Sequence, residues 1–344
     1  MVINSAEFMR RQSGMALITV LFIFAVVSLL ALGMQMRQKM DVAQASAMLS
    51  QSQAQIYAYS IEDIAKAGLS ADWQRDQNSG QLDSPAEVWA MPIQYELNGV
   101  QFSIQLADLQ GRFNLNSLHP TAPNASAAKA RFERLLNHLG LDSTIATELA
   151  NWFDVNSNSA NNYLALSPAY RSSGLPMVSI SELLLLEKMD DDSFEKLKKY
   201  VAALPVDTPL NINSTSKQVL ASWDAKLSLE DAQAVLDTFS PKNVASMAES
   251  ERGSALKSVD DFWANATIAP LANAGSSGSG SGSDSENNTA AAWDKADFDV
   301  KTQYFSVDTA VMLGERTLAL HSVVFRDSAD GSSLVAQREY APLN

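Results

Sequence analysis

The residues in this 344-residue chain best suited to chemistry are oxygen donors. Asp154, Asn156 and Asn158 alternate within Asp154-Val155-Asn156-Ser157-Asn158-Ser159-Ala160-Asn161-Asn162-Tyr163. Side-chain oxygens at alternating positions are how a calcium loop gathers its hard ligands. Glu182 is a further candidate carboxylate if the chain folds back onto this stretch. The stretch itself holds one carboxylate, no Gly at the sharp turn and no acid where a bidentate ligand would stand. An Asn/Ser-rich surface loop also accounts for it, and both readings stay open. The run Asp190-Asp191-Asp192 reads as a cap for the helix that follows, since carboxylates favour the positive helix end. Other chemistry is poorly supplied. Cysteine is absent, which excludes disulfides, thiolate metal sites and thiol nucleophiles. The three His, His119, His138 and His321, are far apart in sequence. The chain has no phosphate-loop glycine pattern, no G-x-S-x-G elbow and no H-E-x-x-H. These observations predict a protein that is not an enzyme.

The elements that position these residues begin with an uncharged run, Met15–Met34. As a helix it measures about 30 Å, the thickness of a bilayer core. Arg10 and Arg11 precede it, which predicts the N-terminus inside and the bulk outside. The run is longer than a usual secretory h-region and no A-x-A site closes it. A signal anchor, or a segment cut before the apolar run, fits better than a signal peptide cut after it. Apolar positions Met40, Ala43, Ala47, Ile56, Ile61 and Ile64 continue at helical spacing, which predicts one long helix stopping near Gly68.

Strands are predicted over 91–97 and 100–108, joined by Asn98-Gly99, and over 304–313, 317–326 and 334–340, the last two joined through Asp330-Gly331. Between them, helices are predicted at 127–139, 143–153, 180–188, 191–203, 215–223, 228–239 and 258–264. Residues 275–289 are Gly/Ser-rich, which predicts a flexible linker within 271–299. The economical architecture is α+β. One antiparallel sheet (70–113 and 300–344) packs on the long helix, and a helical domain (114–270) is inserted between its strands. The insertion contains a repeat. Asn114-Leu115-Asn116-Ser117 and Asn211-Ile212-Asn213-Ser214 each open a pair of helices of helix-hairpin-helix or SAM-like type, with Asn and Ser suited to capping. Such hairpins can hold DNA phosphates. Here the turns are acid-flanked and the net charge is −14, so the expectation is a scaffold and no nucleic-acid partner.

Several stretches carry a family resemblance. Arg10-Arg11-Gln12-Ser13-Gly14 before Met15-Ala16-Leu17-Ile18-Thr19 resembles a prepilin-type leader. Most prepilins carry Glu at the fifth position after the cleavage site; Thr19 stands there in this chain. That departure, with the large insertion, Ala107–Asn116, Ser167–Arg171, Ser179–Leu183, Leu210–Ser214 and Tyr304-Phe305, resembles the K-type minor pseudopilin family of type II secretion systems. The resemblance implies a pseudopilin fold, and cleavage after Gly14 with methylation at Met15 by a prepilin peptidase. It implies a single-pass inner-membrane protein with its bulk in the periplasm. It also implies a tip position with I- and J-type minor pseudopilins, in the export of folded substrates. Residues 35–69 are the expected contact surface for those partners. The family's helical domain holds calcium, which implies ligands at Asp154, Asn156, Asn158 and Glu182. Family members usually have a more acidic loop than Ser159-Ala160-Asn161-Asn162. Two other readings predict different features. A minor type IV pilin would retain Glu at the fifth position and a C-terminal Cys pair. A signal-anchored periplasmic binding module would not be processed at Gly14.

Overall fold

The computed structural model describes residues 5–77, 82–155, 157–239, 255–276, 293–314 and 316–340, with side chains described except at 5–14, 158–161 and 274–276. The chain divides into two compact units, Met1–Tyr57 and Ala58–Asn344. Helix α1 (Ser5–Asp76) runs through both. In the first unit, Leu17, Ile18, Phe22, Phe24, Leu29 and their neighbours are exposed all round the helix. By length and composition this is the one helix among the described residues able to cross a membrane. Such a surface needs lipid or other helices around it.

In the second unit α1 becomes one-sided. Ala58, Ile61, Glu62, Ala65, Leu69 and Asp72 recur at three- and four-residue spacing and are buried. The predicted stop at Gly68 is corrected by the structure, because the helix continues to Asp76. Gly68 lies on an open face where even an added Cβ would meet nothing. A helical glycine costs about 1 kcal/mol, which burial of the neighbouring Leu69 outweighs.

The sheet that receives this stripe has five antiparallel strands in the order β1 (Ile93–Leu97), β2 (Val100–Asp108), β7 (Tyr304–Leu313), β8 (Arg316–Arg326) and β9 (Ser333–Tyr340). The strands fall where the alternating sequence pattern predicts them. Asn98 and Gly99 both have positive φ (53° and 77°), the geometry of a tight two-residue hairpin. Leu106, Val307 and Ser322 lie in one row across β2, β7 and β8 and are buried, and Arg338 on β9 continues that row. Over its far end lies Glu62, which accepts Arg338 Nε at 2.9 Å, Arg338 Nη2 at 2.7 Å and Ser322 Oγ at 2.7 Å. A buried carboxylate is tolerated only when its oxygens are paired in this way. Gly331, at φ 72°, brings the last hairpin so close to α1 that an added Cβ would lie 2.6 Å from the Trp73 ring.

Between β2 and β7 the chain builds a second, helical core. It contains β3 (Phe113–Asn114), α2 (Ala125–His138), α3 (Thr144–Phe153), α4 (Asp191–Leu197), β4 (Val201–Ala202), β5 (Leu210–Asn211), α5 (Lys217–Ala221), α6 (Leu229–Phe239), α7 (Val259–Trp263), α8 (Ile268–Ser276) and β6 (Phe298–Asp299). Asp190 caps α4, its carboxylate accepting Ser193 N at 2.7 Å. Two predicted helices differ. The segment predicted at 180–188 is a 3₁₀ turn over Ile180–Leu185, because Leu183, Leu186 and Met189 bury at a three-residue spacing. The one predicted at 191–203 stops at Leu197, and Val201 pairs instead with Phe113. The predicted 271–299 linker is ordered at both ends: α8 reaches Ser276, and Trp293 is buried in the helical core. Residues 277–292 lie outside the described residues.

The repeat seen in the sequence is a repeat in three dimensions. Parallel β3–β4 joins Phe113 to Val201, and parallel β5–β6 joins Leu210 to Phe298 across the same length of chain. Asn114 and Asn211 each accept the amide two residues on, Asn116 N at 3.1 Å and Asn213 N at 3.0 Å, as capping residues do. Asn116 and Asn213 reach further. Asn116 clasps Met177 through both N–H and C=O, at 2.7 and 2.8 Å. Asn213 clasps Leu256 the same way, at 2.8 and 3.1 Å. Each amide thus replaces a missing strand neighbour at the centre of its half. Removing either clasp leaves buried backbone groups unpaired, so Asn116→Ala and Asn213→Ala should each lose about 1–3 kcal/mol in urea unfolding. A loss within error at both positions would show that the clasps do not hold the two halves.

Candidate functional site

The N-terminal positions come first in the chain. Gly14 and Met15 lie within helical backbone, and Met15 is exposed. Thr19 Oγ1 donates to Met15 O at 2.9 Å, so these two predicted residues are joined one helical turn apart. A threonine hydroxyl can satisfy itself on its own helix in this way; a glutamate in the same apolar surface would need an outside partner.

Of the four expected calcium ligands, Asp154 and Glu182 have described side chains. Asp154 ends α3, its N–H donating to Asn151 O. Asn156 lies outside the described residues, as does the side chain of Asn158. Glu182 turns onto its own 3₁₀ turn, Oε1 accepting Val178 N at 2.7 Å and Ser179 N at 3.2 Å in a capping box. Calcium takes six to eight oxygens, several of them carboxylate. Asp154 and Glu182 are the carboxylates of the expected set.

Carboxylates converge elsewhere. Among the described residues, one group of three or more is placed to share an ion: Asp72 and Asp76 at the end of α1, with Asp83 and Glu87 in the following segment, oxygens within 4.8 Å of one another. Arg326 from the end of β8 enters the group, bonding Asp83 and reaching Asp72 at 3.5 Å, and Arg75 bonds Asp72 at 2.9 Å. The guanidinium groups supply the positive charge that a cation would bring. Like charges this close cannot all ionise in a buried place. Burial, then the Asp72 and Asp83 carboxylates, push Glu87 up to about 8. Burial and the same neighbours push Asp76 up to about 6. Glu87 also accepts Ser84 N at 2.9 Å and Trp89 Nε1 at 2.8 Å, and Trp89 meets Phe305 edge-on at 5.1 Å.

From Asp83 the network runs on into the helical core. Thr302 N donates to Asp83 Oδ2 at 2.8 Å, and Thr302 Oγ1 to Asp108 Oδ2 at 2.6 Å. Asn211 Nδ2 lies within reach of Asp83 O (3.0 Å), Asp108 Oδ2 (2.8 Å) and Thr302 Oγ1 (2.8 Å). Burial lifts Asp108 to about 6, against the hydrogen bonds it accepts. Sequence reasoning missed Glu62, Asp83, Glu87, Asp108, Thr302 and Arg326. Only Glu62 left a signal, as an acid inside the Ala58, Ile61, Ala65 stripe.

A long helix on an antiparallel sheet, interrupted by a two-part helical insertion, is a pseudopilin fold. A family model described as "Type II secretion system (T2SS), protein K" matches residues 111–206. The chain is 32% identical over 345 residues to the type II secretion system protein K of Pseudomonas aeruginosa, covering 96% of this chain and 93% of that one. It is 31% identical to the protein K of Klebsiella pneumoniae, over 75% and 85% of the two chains. A chain in the crystal structure of the GspK-GspI-GspJ complex from enterotoxigenic Escherichia coli matches with a TM-score of 0.67 and 22% identity, over 87% of this chain and 99% of that one, and so shares the fold. The protein belongs to the type II secretion system protein K family of minor pseudopilins.

The carboxyl group predicts a pH response. A carboxyl whose pKa is raised by folding gives stability that is whole below its ordinary value, 4.5 for Glu87, and lost as pH rises through about 8. Glu62 has the opposite sign. Burial pushes it up, but its bonds to Arg338 and Ser322 win, so its contribution is whole above 4.5 and lost on acidification. The melting temperature should therefore fall as pH rises from 4.5 to about 8, and Glu87→Gln should flatten that limb. An unchanged fall over that range in Glu87→Gln would contradict the assignment.

Proposed function

We propose that this chain acts without catalysis, at the tip of the type II secretion pseudopilus, where it starts or caps the filament with I- and J-type minor pseudopilins during export of folded proteins. The observation that carries this reading is Thr19. In an assembly of apolar helices, a glutamate at the fifth position can meet the free amine of the neighbour above it, and a buried carboxylate without that partner is costly. Thr19 meets its own need on Met15 O and so requires no subunit above. The helical insertion between β2 and β7 supports the same end position, because it adds bulk that a subunit inside a filament would have to accommodate. The solved GspK-GspI-GspJ complex, a chain of which shares this fold, supports the choice of partners. In this reading residues 1–14 are a leader cut on the cytoplasmic side, Met15–Met34 anchors the chain in the inner membrane, and the sheet and insertion lie in the periplasm.

The test begins with intact mass after expression with and without a prepilin peptidase. The expected product starts at N-methylated Met15, and Gly14→Ala abolishes it. The mature chain is then expected to co-purify with both I- and J-type partners. A chain that keeps Met1, or one cut beyond Met34, would overturn the pseudopilus role. A processed chain that binds neither partner would overturn the tip position.

A further inference from the structure

A charge taken out of water is costly unless an opposite charge meets it. The guanidinium groups of Arg131 and Arg326 are buried, and each bonds an aspartate, Asp297 at 2.8 Å and Asp83. Arg112, half-buried where β2 gives way to the insertion, bonds no carboxylate among the described residues. The local backbone fixes its place. Arg112 N donates to Leu109 O at 3.2 Å, closing a turn over Leu109–Arg112. Gly111 in that turn lies so close to the second half of the insertion that an added Cβ would stand 2.5 Å from Ser214 O. Phe113 N donates to Tyr200 O at 2.8 Å, which holds Arg112 beside residues 198–200. Its side chain donates from Nη1 to Lys198 O at 3.4 Å, long for such a bond.

Two aspartates act on Arg112 from a distance, and both are engaged by other groups. Asp308 Oδ1 pairs with His321 Nδ1 at 2.6 Å. Asp108 accepts Gln110 N at 2.7 Å, Asn211 Nδ2 at 2.8 Å and Thr302 Oγ1 at 2.6 Å. Burial outweighs what the two carboxylates offset and holds Arg112 below its ordinary pKa. Beside it, between the sheet and the insertion, lies a cavity of about 290 Å³. Arg112 and Lys199 line it, with Tyr200, Pro85 and Trp89 as ring-bearing walls. Asp108 borders it too, its oxygens occupied by the three donors just named. Lys199 is exposed and, like Arg112, forms no ion pair among the described residues. In a chain of net charge −14, this wall offers two cations whose charge is not already matched by a bonded acid.

We propose that this cavity is a carboxylate-binding site, which takes an acidic side chain from an extended segment of a partner protein onto Arg112 and Lys199. A carboxylate presents two oxygens in one plane, the arrangement that a guanidinium fork bonds in parallel. The rings of Trp89 and Pro85 leave room for the aliphatic stem of a glutamate beside them. Such binding is independent of where the chain sits in a filament.

The test is calorimetric titration of the full chain in detergent at low salt, where charge pairing is least screened. The probe is a Glu-Glu dipeptide blocked at both ends. A blocked Gln-Gln dipeptide and inorganic phosphate are titrated in parallel. The expected result is saturable binding of Glu-Glu, none of Gln-Gln, and weaker binding of phosphate. Arg112→Gln is expected to weaken Glu-Glu binding about tenfold, and Lys199→Gln about threefold with Tm unchanged. No saturable heat with Glu-Glu, or equal binding of Gln-Gln, would overturn the proposal. Phosphate binding tighter than Glu-Glu would overturn it as well, by assigning the cavity to a free oxyanion. So would an unchanged affinity in Arg112→Gln. If Arg112→Gln does not fold, Lys199→Gln decides: weaker Glu-Glu binding supports the site, and unchanged binding overturns it.

Discussion

The fold depends on a buried polar junction. Asp83, Asp108, Asn211, Thr302 and Arg326 are all buried, and each belongs to a different part of the chain. Asp108 ends β2, where the chain leaves the sheet, and Thr302 precedes β7, where it returns. Asn211 belongs to the second half of the insertion, Arg326 to the end of β8, and Asp83 to the segment after α1. An apolar junction would hold these parts together without fixing their orientation. Here each carboxyl oxygen must find a donor or bear the cost of desolvation, so few arrangements satisfy the set. Arg326 is the pivot. It bonds Asp83, reaches Asp72 on α1, donates to Thr302 O at 3.1 Å, and lies 4.8 Å from the Phe305 ring centre. Glu62 repeats the device earlier along the same buried stripe of α1, with Arg338 and Ser322.

This arrangement suits a subunit that carries a large insertion on a small scaffold. The sheet and α1 have their own contacts, and the insertion has its own core from Phe113 to Val300. The insertion's chain ends are adjacent at the junction, so it can be added between β2 and β7 without disturbing the sheet. In the second half of the repeat, Asn211 has gained a task that Asn114 lacks. Asn114 donates to Pro205 O within the insertion, whereas Asn211 donates to groups of the segments that border the sheet. The same motif serves as an internal clasp in one copy and as the attachment to the scaffold in the other.

Much of this was legible in the sequence where periodicity governs. All five strands of the sheet, the Asn98-Gly99 hairpin, the Asp190 cap and most helices lie where alternation, helical spacing and turn chemistry place them. The repeat was visible because Asn-X-Asn-Ser is rare enough to stand out twice. What failed to show was whatever depends on contacts distant in sequence. Asp83 meets Arg326, and Asp108 meets Asn211, across long stretches of chain, and nothing local to an aspartate marks it as buried. The 180–188 segment misled for a related reason. Its leucines suit a helix by composition, and only the burial of every third residue selects the tighter turn. Short parallel pairs such as β3–β4 have too few residues to carry a pattern of their own.

The central claim is that one polar junction holds the sheet and the insertion as a single cooperative body. Hydrogen–deuterium exchange on the full chain and on Arg326→Met tests it most directly. Thr302→Val serves as a second variant if Arg326→Met does not fold. The account predicts that the variant loses protection together at the amides of Asn211 and Thr302 and in β7, β8 and the first turns of the insertion. Loss confined to the end of β8, with the Asn211 and Thr302 amides as slow as before, would contradict it.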